Sequence, residues 1–326
     1  MMESNLKGPL LKTLSYYATG GKAEYFHAPK SLKELSEIRH KIKTSKKPYF
    51  ILGAGSNSLV MDDGFPGHVI SLHELNKIIV NKQTISAEAG AINSDITRIA
   101  LKHRLEGLSW MHCLPGQIGA TVRMNARCYG GEIGQVVSKI ETVDPEGKIC
   151  VFDNTKDNVF AGYKDTIFMR NHHVVARVHF DLSIGDEATI KSTMNACEKD
   201  RKAKGQFDYP SCGCVFKNDY SVGVPSGMLL DAAGAHELKH ERLLINPHHA
   251  NFLFNKNHAT SRDILEMTLT MRNLVYDEFG VWLAYEMEIL GKIPDDLKAA
   301  IEEIKTPKLI ESKIEPLRRK FHKKSL

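Results

Sequence analysis

The glycine-rich segment after the first strongly apolar run places the tightest limit on what this chain can fold into. The run PYFILG (48–53) has the length of a strand. It leads into GAGSNS, which approaches the dinucleotide-binding pattern G-x-G-x-x-G with Gly53, Gly55 and Ser58. A Rossmann fold needs a helix that begins inside this loop and directs its N-terminus at the pyrophosphate. Here the continuation SLVMDDGFPGHVI is typical of strands, so the sequence argues against a Rossmann fold. The N–H groups of the loop could still bind a phosphate.

Apolar periodicity in the rest of the chain predicts an alternation of short strands and helices. Helices are predicted in SLKELSEIRHKI with Ser31 as N-cap, INSDITRIALKHRL, residues 186–204, residues 226–233, and the stretch from Thr260 to Gly280. Strands are predicted in KIIVNKQTISAEAG, KIETVDPEGKICVF with a turn at 145–147, residues 173–182, residues 243–246, residues 250–255, and VWLAYEMEIL. This order indicates an α+β fold with two or three lobes.

A second glycine-rich segment, residues 113–134, is longer than most connectors. It contains Pro115 and five glycines, which are Gly116, Gly119, Gly130, Gly131 and Gly134. Glycine lets the backbone approach a flat or phosphorylated ligand closely, and loops of this length usually have a function. We therefore predict that this segment contributes to a ligand site.

Composition excludes several classes of protein. The chain has 326 residues, of which 42% are hydrophobic and 25% are charged, a composition typical of globular proteins. No run approaches the roughly 20 apolar residues of a membrane helix, and the N-terminal segment MMESNLKGPLLKTLSYY does not resemble a signal peptide. The six cysteines form no regular framework, so we expect reduced thiols in a cytoplasmic protein.

The positive charge of the chain is concentrated near its end. The formal net charge is +5, and residues 292–326 hold ten Lys or Arg against six Asp or Glu. No aromatic residues alternate with these basic residues, as they do on many nucleic-acid-binding surfaces. We interpret the segment as a solvated basic tail.

The segment GAHELKHERLL (234–244) contains the H-E-x-x-H pattern of zinc proteases, with His236, Glu237 and His240. A zinc site of this kind needs both histidines on one face of a helix. Gly234 falls where the preceding helical pattern should end, so the five residues lie beyond a helix stop. The sequence also specifies no third ligand. We therefore predict no metal here.

Several motifs occur in the order found in one enzyme family. They are LGAGSNSLV, LPGQIGATVRMNA with CYGGEIG, GYKDTIF, YPSCGCVFKN, HHANFLFN and LAYEMEILG. Over residues 8–291 the chain thus resembles the UDP-N-acetylenolpyruvoylglucosamine reductases, or UDP-N-acetylmuramate dehydrogenases (the MurB family), and in particular their shorter subclass. The resemblance implies an FAD-binding fold of the vanillyl-alcohol-oxidase (PCMH) type. Its expected parts are two FAD-binding subdomains, 1–72 and 73–185, an α+β substrate lobe, 186–291, and the basic tail, 292–326.

The resemblance also implies a reaction and its cofactors. The family carries out the NADPH-dependent, FAD-mediated reduction of UDP-N-acetylglucosamine-enolpyruvate to UDP-N-acetylmuramate for peptidoglycan synthesis. We accordingly expect a cytoplasmic, monomeric enzyme of cell wall biogenesis that acts on small molecules, without nucleic-acid partners or membrane insertion. The positions that match the family's FAD site are Gly53, Ala54, Gly55, Ser56, Asn57, Ser58, Leu59, Pro115, Gly116, Gly119, Ala120, Asn125 and Ala126.

The same resemblance places three residues at the reacting centre. Lys164 in GYKD would lie near the substrate carboxylate, Glu286 in LAYEMEILG would stabilise the enolate, and Cys214 in SCGCVFKN would donate the proton. The positions that would help to bind the substrate are Tyr163, Lys217 and Asn218.

Five departures from the family pattern bear on these roles. The family usually has Arg at Lys164 and Ser at Cys214, and a lysine cannot bind a carboxylate with a planar fork. The other departures are Ala18 in place of an Arg, Arg127 in place of a small residue, and Glu241–Arg242 in place of a glycine pair. Two alternatives therefore stay open. One is a degenerate flavin-binding homologue without reductase activity, and the other is a zinc hydrolase that uses His236, Glu237 and His240.

Overall fold

A computed structural model describes residues 8–325 of the chain, and their side chains as far as His322. The helices are α1 (Leu32–Ser45), α2 (Asn93–Lys102), α3 (Ile118–Arg123), α4 (Glu187–Ala203), α5 (Ser226–Ala232), α6 (Ser261–Phe279), α7 (Asp295–Glu302) and α8 (Glu311–Ser325). Among these described residues, short 3-10 turns occur at Leu11–Thr13, Ser109–Met111, Ile133–Gln135, Ile167–Met169 and Ala235–Glu237. None of the helices among the described residues combines the length and apolar character that crossing a membrane requires.

The strands are short, and most lie where the alternating patterns predicted them. They are β1 (Ala23–His27), β2 (Tyr49–Leu52), β3 (Ser58–Val60), β4 (Phe65–Ser71), β5 (Ile78–Asn81), β6 (Thr84–Glu88), β7 (Leu105–Glu106), β8 (Arg127–Cys128), β9 (Gly131–Glu132), β10 (Val137–Val143), β11 (Ile149–Asp153), β12 (Phe160–Gly162), β13 (Asp165–Thr166), β14 (Val174–Asp181), β15 (Ser183–Ile184), β16 (Leu243–Ile245), β17 (Leu253–Asn255) and β18 (Glu288–Leu290). The prediction for VWLAYEMEIL is wrong in extent, because only its last three residues form a strand.

The chain divides into two compact units that do not follow sequence order. The first unit consists mainly of Glu24–Ala54 and Pro66–Ala203. The second combines Pro9–Ala23, Gly55–Phe65 and the C-terminal part from Lys204. The boundaries predicted at residues 72, 185 and 291 remain predictions.

The first unit is built on an antiparallel sheet in the order β11-β10-β14-β6-β5. Strand β14 lies at its centre, and its apolar side chains are all buried in two apolar clusters. Charged side chains on this sheet neutralise one another. Arg177 contacts Glu141 at 3.1 Å and the buried Glu88 at 3.3 Å, and His179 Nε2 lies 2.8 Å from Glu141. A smaller sheet, β1-β4-β2, packs with α1 in a second apolar cluster of this unit.

The second unit is organised around the long helix α6. Its N-terminus is a capping box in which the Thr260 side chain accepts from the Asp263 N–H, while Asp263 accepts from the Thr260 N–H. Its end is fixed by Gly280, whose φ of 68° suits glycine and whose Cβ, if present, would lie 1.8 Å from the Lys308 carbonyl oxygen. The predicted limits of this helix are confirmed. The hairpin β16–β17 and the parallel pair β3–β18 complete the unit.

The interpretation of residues 292–326 as a solvated tail is wrong for the described part. Helices α7 and α8 bury Ile301 and Ile314 in the core of the second unit. The guanidinium of Arg272, on α6, lies over the rings of Trp282 and Tyr285 at 4.2 and 4.7 Å. It also donates to backbone carbonyls at the end of α7. Two buried apolar positions and one buried arginine thus hold a segment in which nearly half of the residues are charged.

We expect Arg272→Leu to lower the free energy of unfolding by about 3 kcal/mol, because it leaves the carbonyls of Ala300 and Ile301 without their charged donor. Arg319→Leu is the matched control, since its side chain is 76% exposed, and should change stability by less than about 0.5 kcal/mol. Urea unfolding followed by tryptophan fluorescence measures both. Equal stabilities of the two variants would contradict this account of the C-terminal helices.

Candidate active site

The first predicted flavin loop, residues 53–59, leaves the first unit after Ala54. In that unit Gly53 follows strand β2, and a Cβ at this position would lie 3.4 Å from the Cβ of Ala120 and 3.5 Å from Gln117 Oε1. Gly53 and Ala54 are both partly exposed. The backbone at the end of β2 is therefore partly exposed and has no side chain at Gly53. It lies next to the polar side chain of Gln117, in the second glycine-rich segment.

In the second unit the same loop is fixed to the segment that contains Glu286. Gly55 has a φ of 66°, and a Cβ there would lie 2.7 Å from the carbonyl oxygen of Leu14, so only glycine fits. Asn57 donates from Nδ2 to the Glu286 carbonyl oxygen at 3.0 Å, and its own carbonyl accepts from the Glu288 N–H at 2.9 Å. After the partly exposed Ser56 and Asn57, the buried Ser58 and Leu59 enter β3 and pair with β18.

The second predicted flavin segment, residues 115–126, lies entirely in the first unit and contains helix α3. Gly119 is required here, because a Cβ would lie 2.7 Å from that of Ala89. Its N–H donates to the Ala89 carbonyl at 2.9 Å. Gly116, with a φ of 123°, accepts from the Asn93 N–H at 3.3 Å. Pro115 and Gly116 are partly exposed, Ala120 is exposed, and Ala126 is buried.

Gln117 provides an observation against which an FAD site can be tested. The residue is buried, and its Oε1 has no hydrogen-bond partner among the described residues. A buried acceptor without a donor is costly, and a bound polar ligand would satisfy it. Since Oε1 lies beside the bare backbone at Gly53, the residues of the first unit fit a polar planar cofactor with amide donors. Sequence reasoning missed Gln117, whose only signal was its place in the glycine-rich segment.

Asn125 has its side chain committed to the protein itself. It is 1% exposed, and its Nδ2 donates to Glu132 and to the Gly162 carbonyl, the latter at 2.9 Å. Its Oδ1 accepts from the Gly134 N–H at 3.3 Å. The amide group therefore connects the flavin segment to the residue just before Tyr163. These bonds hold the loop, and the role of Asn125 at the cofactor stays a prediction.

Tyr163 and Lys164 form the turn between β12 and β13 in the first unit. Lys164 is half-buried and has a φ of 54°, a strained value for a non-glycine residue. The guanidinium of Arg127 lies 4.2 Å above the ring of Tyr163. A Cβ at Gly162 would meet no atom within 4 Å, so open space borders this turn.

Cys214 and Glu286 lie in the second unit on neighbouring backbone segments. Cys214 forms an isolated β-bridge with Phe252 through the backbone. The carbonyl oxygen of the next residue, Val215, accepts from the Glu286 N–H at 2.8 Å. Burial raises the pKa of the nearby Cys212 thiol, and the negative forms of Cys214 and Glu286 raise it further. The two predicted catalytic groups of this unit are thus brought together. A Cβ at Gly213 would meet nothing within 4 Å, so open space also borders Cys214.

The backbone around Cys214 is held by a buried asparagine that sequence reasoning missed. Asn251 Oδ1 accepts from the Phe216 N–H at 3.0 Å, and its Nδ2 donates to the Phe216 carbonyl at 2.8 Å. Lys217 donates its N–H to the Ala284 carbonyl at 2.8 Å. Asn218 Oδ1 accepts from the N–H of Ser226, the first residue of α5. Lys217 and Asn218 are half-buried and follow Cys214 closely in sequence.

The prediction against zinc in GAHELKHERLL is consistent with the structure. Gly234 adopts a φ of 83° after α5, and Ala235–Glu237 forms one 3-10 turn. The His236 ring lies 3.2 Å from Asp231, whereas that of His240 lies 3.8 Å from Asp263. Because the two histidines face different carboxylates and share no helix, this segment offers no common metal position.

Comparisons with known proteins agree with the fold and the motifs. Residues 205–290 match the family model described as UDP-N-acetylenolpyruvoylglucosamine reductase, C-terminal domain, and residues 23–153 match that described as FAD binding domain. The chain is 34% identical to a UDP-N-acetylenolpyruvoylglucosamine reductase of Clostridium novyi, over 87% of this chain and 91% of that protein. It is 32% identical to UDP-N-acetylenolpyruvoylglucosamine reductase 2 of Bacillus cereus, over 87% and 92%.

A solved structure shows the same similarity. The crystal structure of UDP-N-acetylenolpyruvylglucosamine reductase from Thermus caldophilus superposes with a TM-score of 0.73 at 28% identity, covering 86% of this chain and 97% of that one. Together with the matched FAD binding domain, these similarities confirm the predicted α+β fold and the FAD cofactor. The individual site residues stay predictions.

We expect Asn125→Asp to destabilise the first unit by about 3 kcal/mol, because a second carboxylate would then be buried against Glu132. Asn158→Asp is the matched control, since Asn158 is exposed and has a similar φ, 46° against 43°. Urea unfolding and the fluorescence of released flavin measure stability and cofactor retention.

A double variant separates the charge effect from any change of shape. Adding Glu132→Gln to the Asn125→Asp variant removes the repulsion and should restore part of the lost stability. The comparison is the same Glu132→Gln change made in the wild-type chain. If the change alters the free energy of unfolding equally in both backgrounds, the two substitutions are additive and the contact between these side chains does not hold the loop.

Proposed function

We propose, since the chain belongs to the family of UDP-N-acetylenolpyruvoylglucosamine reductases, that it uses NADPH to reduce UDP-N-acetylglucosamine-enolpyruvate to UDP-N-acetylmuramate. This places it in the cytoplasm, as a monomer, in peptidoglycan precursor synthesis. The single observation that most supports the proposal is the pairing of the Cys214 and Glu286 segments through Val215, beside open space at Gly213.

The reaction asks for three kinds of group. Hydride addition to the enolpyruvyl alkene leaves negative charge on the carbon next to the carboxylate. That charge needs stabilisation as an enolate, and the carbon then needs a proton. A cation near the carboxylate favours the hydride addition, because it stabilises the negative charge that develops in that step.

The chain offers a residue for each requirement. Lys164 supplies the cation near the carboxylate, with Tyr163 beside it. Glu286 stabilises the enolate, and Cys214 Sγ–H donates the proton to carbon. The Oδ1 of Asn218 accepts from the Ser226 N–H, so Nδ2 is the group of this side chain that would donate to the substrate. Lys217 adds a positive charge on the same segment.

FAD supplies the hydride-transfer chemistry when it is bound. In the first unit Gly53, Ala54 and residues 115–126 would hold it, and Gln117 Oε1 would accept from one of its N–H groups. In the second unit residues 55–59 would contribute, and the buried Tyr17 hydroxyl and Thr19 Oγ1, which lack partners among the described residues, are further polar groups.

The proposal is tested with the purified full-length protein. It should be yellow, NADPH should bleach its visible flavin absorbance, and the enolpyruvyl substrate should restore that absorbance under anaerobic conditions. Flavin that is bound and bleached but never reoxidised by the substrate would indicate the degenerate homologue. A colourless protein inhibited by chelators would indicate the zinc hydrolase.

We expect Cys214→Ala to slow the substrate half-reaction by about a hundredfold or more, because it removes the general acid. Cys214→Ser should keep substantial activity. A thiol has an unperturbed pKa of about 8.5 and cannot donate once ionised. The rate of the substrate half-reaction in the wild-type protein should therefore fall at alkaline pH. In Cys214→Ser this fall should move to another pH or vanish.

Stopped-flow absorbance, with each half-reaction measured separately across pH, checks this prediction. Reduction by NADPH should lack the same alkaline loss. Cys150→Ser, on strand β11 of the first unit, controls for removal of a thiol. A Cys214→Ala variant that reoxidises at the wild-type rate would show that Cys214 is a packing residue.

We expect Lys164→Met to lower turnover by about a hundredfold, because it removes the positive charge beside the carboxylate. Lys164→Arg should retain or raise activity, since a guanidinium adds bidentate geometry to the same charge. Steady-state kinetics measure both variants. Lys156→Met, whose side chain is 76% exposed, is the control and should leave turnover unchanged. Full activity in Lys164→Met would assign the cation to another residue.

A further inference from the structure

A group of three potential metal ligands lies in the first unit, away from the zinc-like sequence pattern. His112 and Cys113 follow the 3-10 turn Ser109–Met111, and Glu198 lies on α4. The ligand atoms of these three side chains all lie within 4.8 Å of one another, and His112 Nε2 lies 4.0 Å from Glu198 Oε2. Between Gly8 and His322 no other group of His, Cys, Asp and Glu has this arrangement.

The hydrogen bonds of His112 determine which ring nitrogen faces the group. The Thr97 hydroxyl donates its single hydrogen to the Ser94 carbonyl at 2.9 Å. The same oxygen lies 2.9 Å from His112 Nδ1, and must therefore accept from an Nδ1–H. The other ring nitrogen, Nε2, is therefore the one that faces the group, 4.0 Å from Glu198 Oε2.

The backbone holds His112 and Cys113 in place. Cys113 has a φ of 58°, a strained value for a non-glycine residue, and its N–H donates to Ser94 Oγ at 3.1 Å. Ser94 and Thr97, both on α2, thus orient two potential ligands, and α4 supplies the third. A histidine held through its second ring nitrogen is what metal sites typically contain.

We propose that His112 Nε2, Cys113 Sγ and Glu198 Oε2 form a binding site for a divalent transition metal, with Zn²⁺ as the best match. Imidazole, thiolate and carboxylate are each usual ligands of zinc, and a fourth position is left for water. Bond lengths of about 2.0–2.3 Å require ligand atoms slightly closer together than the 4.8 Å within which they lie here. Glu198 is partly exposed, so its side chain has room to make part of this movement.

The charges around the site set its affinity and its pH dependence. Arg98 acts on both His112 and Cys113, and Arg201 and Lys202 act on Cys113. Lys202 also contacts the other Glu198 oxygen, Oε1, at 2.6 Å, which leaves Oε2 toward the site. These three cations weaken metal binding but favour the thiolate form.

The site would connect α4 to the start of the second glycine-rich segment. Cys113 is separated from Pro115 by a single residue. A metal bound to Cys113 and Glu198 would therefore restrain this segment through coordination bonds. The proposal concerns metal binding alone and does not depend on the reductase assignment.

The experiment uses the full-length holoenzyme, stripped with a chelator and titrated with Co²⁺ as a spectroscopic probe for Zn²⁺. One equivalent should bind and give tetrahedral ligand-field bands at longer wavelength than the oxidised flavin bands. Calorimetry with Zn²⁺ should give one metal bound per chain. Wild-type protein that binds no Co²⁺, or binds it without tetrahedral bands, overturns the proposal without reference to any variant.

Variants then test each ligand. Cys113→Ser, His112→Gln and Glu198→Gln should each weaken binding by at least about tenfold. Thr97→Val should weaken it by about tenfold while leaving every ligand in place, a loss that only the His112 orientation explains. The matched controls are Cys150→Ser, His103→Gln and Glu187→Gln, which should leave affinity unchanged. Loss of binding in His236→Gln, with no loss in the ligand variants, would move the metal to the other motif and refute the site.

Discussion

Much of both predicted site regions is irregular backbone, and buried irregular backbone needs other groups, such as side chains, to supply the hydrogen bonds that a helix or sheet would make. In the first unit the amide of Asn125 does this, because it contacts Glu132, Gly134 and Gly162 at once. The glycine-rich segment, the β8–β9 hairpin and the β12–β13 turn therefore share one buried group. Everything proposed for Tyr163 and Lys164 depends on this turn keeping its place.

In the second unit, Asn251 and Asn57 supply such hydrogen bonds from their side chains. Asn251 pairs with both backbone groups of Phe216, which leaves Val215 to accept from Glu286. Asn57 then contacts both the Glu286 carbonyl and the Glu288 N–H. The separation between Cys214 and Glu286 is thus set by backbone bonds on both sides of Glu286. A proton donor and an enolate stabiliser need this kind of fixed spacing, since small displacements of catalytic groups are costly.

The periodic elements could be predicted from the sequence, whereas the contacts between distant residues could not. Helix α6 carries its own limits in Thr260 and Gly280, and both were predicted. Helices α7 and α8 were missed because only Ile301 and Ile314 are deeply buried, and the Arg272 contacts join residues that are far apart in sequence. Local patterns likewise could not bring Glu198 to Cys113. The H-E-x-x-H pattern, which is local, gave a plausible site that the turn at Gly234 excludes.

The departures at Lys164 and Arg127 are related in space. By resemblance the family has a guanidinium at the first position and a small residue at the second. In this chain Arg127 places its guanidinium over the ring of Tyr163, next to Lys164 in sequence, and lies 3.9 Å from Glu132. Glu132 in turn accepts from Asn125. The turn therefore keeps a guanidinium next to Lys164 in sequence, but Glu132 offsets its charge. The replacement of the family's arginine by Lys164 preserves the positive charge at this position and changes the geometry with which it can bind a carboxylate.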